Sequence, residues 1–138
     1  MLIKEIMNTN VITVDENDTI LAAAKKYKNH KIGSVVVTQH EHCIGIITER
    51  DLIERALCKQ LDVTKSKTKD IMSKPVITIQ PLANIDTAIT LMKKHTIKKL
   101  PVVKDNQLIG IITITDIAHA RPDLSQRFID SWIKPRWD

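Results

Sequence analysis

The chain has 138 residues and a net charge of +5. No apolar stretch approaches the length needed to span a membrane, and the first residues lack the apolar segment of a signal peptide. The two cysteines, Cys43 and Cys58, have neither the spacing of a metal site nor that of a redox motif. We therefore expect a cytoplasmic protein without a membrane segment, with reduced thiols and a lysine-rich surface.

An internal repeat organises the sequence. The segment Gly45–Leu52 returns 65 residues later as Gly110–Ile117, and the pair Ile6–Met7 returns at the same offset as Ile71–Met72. Half a chain of this length buries too little surface to be stable alone, so we expect two copies of one unit that share a core. The predicted divisions are a first repeat (1–60), a linker (61–68), a second repeat (69–121) and a C-terminal extension (122–138).

In chain order, each copy is predicted to form a short helical turn and then strand, helix, strand, strand and helix. The helical turns are Ile3–Met7 and Lys69–Met72. The predicted strands are short apolar runs rich in β-branched residues: Val11–Val14, Ser34–Thr38, Cys43–Thr48, Val76–Ile79, Leu100–Val103 and Leu108–Thr113. The predicted helices carry apolar residues at helical spacing: Ile20–Tyr27, Asp51–Lys59 and Ile85–Met92. Asp18 or Thr19 is expected to cap the first of these helices, and Asn84 its counterpart.

Polar turns join the second and third strands of each copy into a hairpin, at Gln39–His42 and Lys104–Gln107. Pro122 is expected to end the last helix of the second copy, and Leu124–Ile133 to form a helix of the extension. Because only four residues of the chain are aromatic, the repeat cores must be aliphatic. The predicted fold class is therefore mixed α/β, built from two β-α-β-β-α repeats.

The last strand of each copy runs into a Gly-Ile-Ile-Thr-x-x-Asp motif, which ends at Asp51 and at Asp116. Thr48 stands where the strand ends, so its hydroxyl and the free N–H groups of the following helix can hold a phosphate. Asp51 lies one turn in, and its carboxylate can accept from the two hydroxyls of a ribose. Gly45 would let another backbone or a flat ligand approach the strand. Thr-x-x-Asp is also close to a capping box, which needs no ligand.

The tandem resembles a pair of cystathionine-β-synthase (CBS) domains, a Bateman module, over nearly all of Ile3–His119. The repeated motif, the Ile-Met pairs that precede a strand, and the Lys-Leu-Pro-Val of Lys99–Val102 carry the resemblance. It implies two halves related by pseudo-two-fold symmetry, with packed sheets and two inter-repeat clefts that bind AMP, ADP, ATP or S-adenosylmethionine. It also implies a stand-alone regulatory module, not an enzyme, that acts on an effector protein in trans or through a homodimer.

Carried over to this sequence, the resemblance implies that Asp51 and Asp116 hold the ribose of an adenine nucleotide. Thr48 and Thr113 would lie by the ribose or the phosphate. The residues implied to flank the adenine are strand residues: Val11, Thr13, Val76, Thr78, Ser34, Val35, Leu100 and Pro101.

The basic residues implied to reach a phosphate differ between the copies. Lys98 and Lys99 would serve the nucleotide at Asp51, and Arg50 would serve the one at Asp116. Plain alternatives stand beside these roles, since exposed lysines are solvated and Arg50 can pair with Glu49 or Glu54. The cations favour a phosphorylated ligand, AMP first and then ADP or ATP, over S-adenosylmethionine.

Other functions are left open by the residues. A nucleic-acid binding module, such as one for RNA, would use the basic surface, although the repeats lack base-stacking aromatics. For an enzyme, the sequence shows no nucleophile and base at a usable spacing. His40 and His42 could bind a metal, but no third ligand accompanies them. Trp132 and Trp137 could form an interaction patch or fold over the module.

Overall fold

The structure is a computed structural model, and it describes residues 1–124. The chain divides into two compact units that do not follow the order of the repeats. The first unit contains residues Val11–Val76 together with Asn106–Leu108. The second contains Met1–Asn10, Ile77–Asp105 and the described residues from Ile109 onward. The N-terminal ten residues therefore belong to the unit built mainly from the second sequence copy.

The helices and strands follow the predicted order, except that the first strand predicted for the second repeat does not form. They are α1 (Ile3–Ile6), β1 (Thr13–Asp15), α2 (Ile20–His30), β2 (Ser34–Gln39), β3 (His42–Thr48), α3 (Glu49–Asp51), a π-helix (Leu52–Leu57), a 3₁₀ turn (Thr68–Asp70), α4 (Ile85–His95), β4 (Lys99–Lys104), β5 (Gln107–Thr113) and α5 (Ile114–Ala120). No helix among the described residues is both long and apolar enough to cross a bilayer.

The first unit has a three-stranded sheet in the order β1-β2-β3. β1 runs parallel to β2, with Thr13 opposite Val36, and β3 runs antiparallel to β2, with Ser34 opposite Thr48. The predicted hairpin is confirmed, and its two turn residues, His40 and Glu41, both have positive φ. Positive φ at both positions gives the turn the twist that suits a two-residue hairpin.

β4 and β5 form a second hairpin, and its turn residues Asp105 and Asn106 again have positive φ. The predicted strand at Val76–Ile79 is wrong as a strand, because only Ile79 pairs, in a parallel bridge with Val102. The predicted strand Val11–Val14 is also shifted, since β1 begins at Thr13.

The helix α2 begins at a side-chain cap, where Thr19 Oγ1 accepts from the Ala22 N–H at 3.1 Å. The helix α4 begins in the same way, with Asn84 Oδ1 accepting from the Thr87 N–H at 3.0 Å. These caps confirm the prediction for Asn84 and select Thr19 over Asp18. The helix predicted over Asp51–Lys59 starts earlier, at Glu49, and becomes a π-helix after its first turn.

Each unit has its own aliphatic core. In the first, the buried core residues are Val14, Ile20, Ala23, Val35, Val37, Ile47, Ala56 and Ile71. In the second, they are Ile3, Ile79, Ile85, Ala88, Met92, Leu100, Val102, Ile112 and Ile117. The helix α5 ends at Ala120, just before Pro122, as expected. The helix predicted over Leu124–Ile133 and the two tryptophans lie outside the described residues, apart from Leu124 itself.

Candidate functional site

The Thr-x-x-Asp motif of the first unit forms a complete capping box. Asp51 N–H donates to Thr48 Oγ1 at 3.2 Å, and Thr48 N–H donates to Asp51 Oδ2 at 2.9 Å. Thr48 is the last residue of β3 and Asp51 the last residue of α3, so the strand places the motif at one end of the sheet. Local hydrogen bonds of this kind satisfy helix N–H groups that would otherwise lack partners.

The second unit repeats this geometry after β5. Asp116 N–H donates to Thr113 Oγ1 at 3.1 Å, and Thr113 N–H donates to Asp116 Oδ2 at 2.9 Å. Capping and ligand binding therefore do not exclude one another, because each box uses one of the two carboxylate oxygens and leaves further acceptor capacity.

The surroundings of Asp51 use that remaining capacity. Its side chain is buried, with only 6% of the residue exposed. The Ser73 hydroxyl lies 3.1 Å from both Oδ1 and Oδ2, and Arg55 Nε lies 3.7 Å from Oδ1. Because a carboxylate buried without partners is costly, these contacts stabilise Asp51 in its buried position.

Arg55 extends the cluster to the segment that follows the 3₁₀ turn. Its guanidinium donates to the carbonyl oxygens of Ile71 and Met72, at 3.2 and 3.1 Å. The backbone of Ser73 is paired with Ile46 in both directions, with N···O distances of 2.8 and 3.2 Å. Asp51, Arg55 and Ser73 therefore fasten the 71–73 segment to the helix and to β3.

Asp116 has different surroundings. It is only partly buried. Within residues 1–124, the Thr113 N–H is the one hydrogen-bond donor to its carboxylate. The positions 65 residues from Ser73 and Arg55 are occupied by Asn8 and Ala120. Asn8 Oδ1 accepts from the Asn10 N–H at 2.9 Å, so that side chain is engaged locally. The two motifs are alike in their capping and unlike in their carboxylate contacts.

Ser34 marks a second feature of the first unit. It is buried (9% exposed) and lies opposite Thr48 in the β2–β3 pairing. Its hydroxyl has no hydrogen-bond partner in the part of the chain that the structure describes. Buried polar groups are nearly always paired, so this hydroxyl next to the Thr-x-x-Asp motif is a candidate ligand contact.

Tyr27 lies near the site, although the sequence predicted it only as part of a helix. From α2, its hydroxyl donates to the Ile47 carbonyl oxygen. Burial raises the pKa of the Tyr27 phenol well above its usual value, and the negative charges of Asp51 and Glu49 raise it further. The phenol therefore stays protonated and acts as a donor that fixes the end of β3.

Of the three candidate cations, Arg50 and Lys98 are exposed to solvent. Arg50 Nε pairs with Glu54 at 3.0 Å, one of the alternatives considered for this residue, and both side chains are mostly exposed. Lys98 is exposed, and its carbonyl oxygen accepts from the Ile114 N–H at 2.9 Å. Lys99 begins β4 and is partly buried.

The residues expected to flank an adenine vary in exposure. Leu100, Pro101 and Val35 are buried, and Leu100 and Val35 belong to the cores. Thr78 is exposed, whereas the remaining ones are partly buried: Val11, Thr13 and Val76. The side chains of Leu100 and Val35 are therefore committed to packing within their own units.

Among residues 1–124, no group of three or more His, Cys, Asp or Glu side chains is placed to bind a metal ion. His42 Nδ1 lies 2.7 Å from the Asn106 carbonyl oxygen, a contact between the hairpin and residues 106–108.

Comparison with known proteins identifies the family. The CBS domain model matches the chain twice, over residues 3–57 and 69–123. The chain belongs to the CBS domain family. An uncharacterized protein of Methanopyrus kandleri, MK0525, is 40% identical over 122 residues, which cover 87% of this chain and 62% of that protein.

Solved CBS structures have the same fold. The CBS domain pair of protein MJ0100, in complex with 5′-methylthioadenosine and S-adenosylmethionine, matches with a TM-score of 0.78 and 31% identity, covering 89% of this chain and 97% of that one. Hypoxic Response Protein I, with two coordinated zinc ions, matches with a TM-score of 0.81 and 28% identity, covering 86% and 98%. The expected mixed α/β CBS pair is confirmed.

Proposed function

We propose that this protein is a regulatory module that binds an adenine nucleotide, with AMP as the first candidate and ADP and ATP as further ones. The observation that carries the proposal is the repeated capping box, in which each Thr-x-x-Asp motif orients a carboxylate at the end of a strand. Support also comes from the MJ0100 domain pair, whose bound molecules both contain an adenosine group.

The carboxylates supply the proposed recognition of ribose. A carboxylate accepts hydrogen bonds at two oxygens, so it can take the 2′- and 3′-hydroxyls of one ribose together. The capping N–H of Thr48 or Thr113 holds Oδ2 in place, which limits the side-chain entropy that a ligand must overcome. Ser34 adds a buried hydroxyl beside Thr48 that a bound ligand can satisfy.

A phosphorylated ligand is favoured over S-adenosylmethionine because of the cations near these motifs. Arg50, Lys98 and Lys99 are the proposed phosphate contacts, and S-adenosylmethionine carries a positive sulfonium that cations disfavour. Arg50 would have to leave Glu54, but an exposed ion pair contributes little, so the exchange costs less than about 1 kcal/mol.

The output of the module is proposed to pass to an effector protein or through a homodimer. A ligand shifts the equilibrium between two arrangements of the protein only if it binds one of them more tightly than the other. A bound nucleotide that favours one arrangement would then report nucleotide concentration to the partner.

The direct test compares AMP with 2′-deoxy-AMP by calorimetry, in the wild type and in Asp51→Ala and Asp116→Ala proteins. Loss of the hydroxyl, or of either aspartate, is expected to weaken the affected site roughly ten- to a hundredfold, the value of a charge-assisted hydrogen bond. Equal affinity for both ligands in all three proteins would remove the ribose assignment.

Binding to nucleic acid is the second candidate, and the net charge of +5 favours it. The two functions differ in salt dependence, because a protein that contacts many phosphates loses affinity steeply as salt rises. A mononucleotide site has a shallow salt slope. Titrations with AMP and with a single-stranded RNA at two salt concentrations therefore separate the two functions.

A further inference from the structure

The two Asp carboxylates differ in the hydrogen bonds that already occupy them. We propose that Ser73 controls affinity at the first unit: its hydroxyl occupies the Asp51 carboxylate in the ligand-free protein, so a ribose-containing ligand binds first at Asp116. This inference rests on the proposed function, because it concerns the order in which the two motifs take the same ligand.

The occupancy of each carboxylate can be counted from the contacts. Asp51 accepts from the Thr48 N–H and from the Ser73 hydroxyl, which reaches both oxygens, and the Arg55 guanidinium lies beside Oδ1. For Asp116, within residues 1–124, the corresponding count is the Thr113 N–H alone. A diol that donates to both oxygens would therefore meet a competing donor at Asp51, whereas no side chain among residues 1–124 competes with it at Asp116.

Backbone hydrogen bonds hold Ser73 in the position where its hydroxyl competes with a ligand for Asp51. Its N–H donates to the Ile46 carbonyl at 2.8 Å, and its carbonyl accepts from the Ile46 N–H at 3.2 Å. Because the backbone is paired in both directions, the hydroxyl can leave Asp51 by rotating its side chain but the segment does not move away. A ligand must therefore displace a preorganised donor.

The two sequence copies carry different residues at the positions that contact the aspartate in the first unit. Ser73 corresponds to Asn8, whose side chain accepts from the Asn10 N–H, and Arg55 corresponds to Ala120. Asn8 pairs with Ile111 through its backbone as Ser73 pairs with Ile46. The backbone framework is thus conserved between the units, while the side chain that reaches the aspartate is present in one unit alone among the described residues.

The test isolates the Asp51 site by working in an Asp116→Ala background, with AMP as the probe and calorimetry as the readout. Adding Ser73→Ala is expected to strengthen the remaining site about three- to tenfold, because one hydrogen bond no longer has to be displaced. Adding Asn8→Ala at the matched position is expected to leave that affinity unchanged. In the otherwise native protein, Asp116→Ala should remove the tighter binding event and Asp51→Ala should retain it.

A second variant guards against a folding defect in Ser73→Ala. Ser73→Cys replaces the hydroxyl by a slightly larger thiol at the same branch point and offers only a weak donor, so it should also strengthen the site. Unfolding of each protein by urea, without ligand, reports whether it is folded. Weaker or unchanged binding after both substitutions, or loss of the tighter event in Asp51→Ala, would overturn the inference while leaving the proposed function standing. Absence of AMP binding by the wild type and every variant would overturn both.

Discussion

Met72 packs directly onto Gly45, with its Sδ atom 2.5 Å from the position that a Cβ would take on the glycine. Met7 packs onto Gly110 in the same way, at 2.6 Å. The methionine of each Ile-Met pair therefore meets the glycine of the other sequence copy. This exchange explains why the first ten residues belong to the unit of the second copy.

Substitution of either glycine by alanine should destabilise the protein. The new methyl group would overlap Met72 at Gly45, and would overlap Met7 and press on the Asn8 carbonyl oxygen at Gly110. Overpacking of this kind costs about 1–3 kcal/mol in the free energy of unfolding. Urea denaturation of the two variants measures this cost.

The double variant Gly45→Ala with Met72→Ala provides the control. Because the methionine creates the overlap, the two substitutions together should cost less than the sum of their separate effects. Strict additivity, or a Gly45→Ala protein as stable as the wild type, would contradict the packing of Met72 on Gly45.

The stability of the ligand-free protein should depend more on Asp51 than on Asp116. Asp51→Asn removes the charge that Ser73 and Arg55 contact, and hydrogen bonds to charged groups contribute about 1.5–3 kcal/mol. Among residues 1–124, Asp116→Asn weakens only the helix cap, and it is expected to cost about 1 kcal/mol or less. Thermal unfolding without ligand compares the matched pair, and a larger loss in Asp116→Asn would be inconsistent with the contacts around Asp51.

The local features of this fold could be predicted from the sequence. The cap at Asn84, the two hairpins and the capping boxes depend on residues only a few positions apart, so their residue types indicate them directly. The spacing of the apolar residues likewise predicted the helix faces that carry Ile20 and Ile85, and both residues are buried in the cores.

Features that depend on distant contacts could not be predicted in this way. Ser73 reaches Asp51 across 22 positions of the chain, and nothing in the local sequence around either residue indicates the contact. Residues 76–79 have a strand-like composition, but strand formation also requires a partner, and only Ile79 obtains one. The orphan hydroxyl of Ser34 is visible only once the burial of its side chain is known.

The two cysteines should differ in reactivity. Burial raises the pKa of the Cys43 thiol from 9.0 to about 11, whereas Cys58 is exposed. At pH 8 about one Cys43 in a thousand would be a thiolate, the reactive form. Ellman's reagent should therefore modify one thiol quickly in the native protein and the second only slowly. Cys58→Ser should abolish the fast reaction and Cys43→Ser should retain it.

The same shift gives a pH dependence of stability. Because the folded state holds the Cys43 proton more tightly than the unfolded chain, its contribution to the free energy of unfolding is complete below about pH 9 and is lost as the pH rises towards 11. Cys43→Ala should remove this part of the alkaline destabilisation. For the labelling experiment with Ellman's reagent, equal rates at Cys43 and Cys58 in the folded protein would show that Cys43 is not protected.

The central claim, binding of an adenine nucleotide, is tested most directly by calorimetric titration of the purified, nucleotide-free protein with AMP, ADP, ATP and S-adenosylmethionine. We expect micromolar binding of one or two equivalents of an adenine nucleotide, with a shallow dependence on salt. No heat with any of the four ligands would contradict the account, and the two Thr-x-x-Asp motifs would then be helix caps without a ligand.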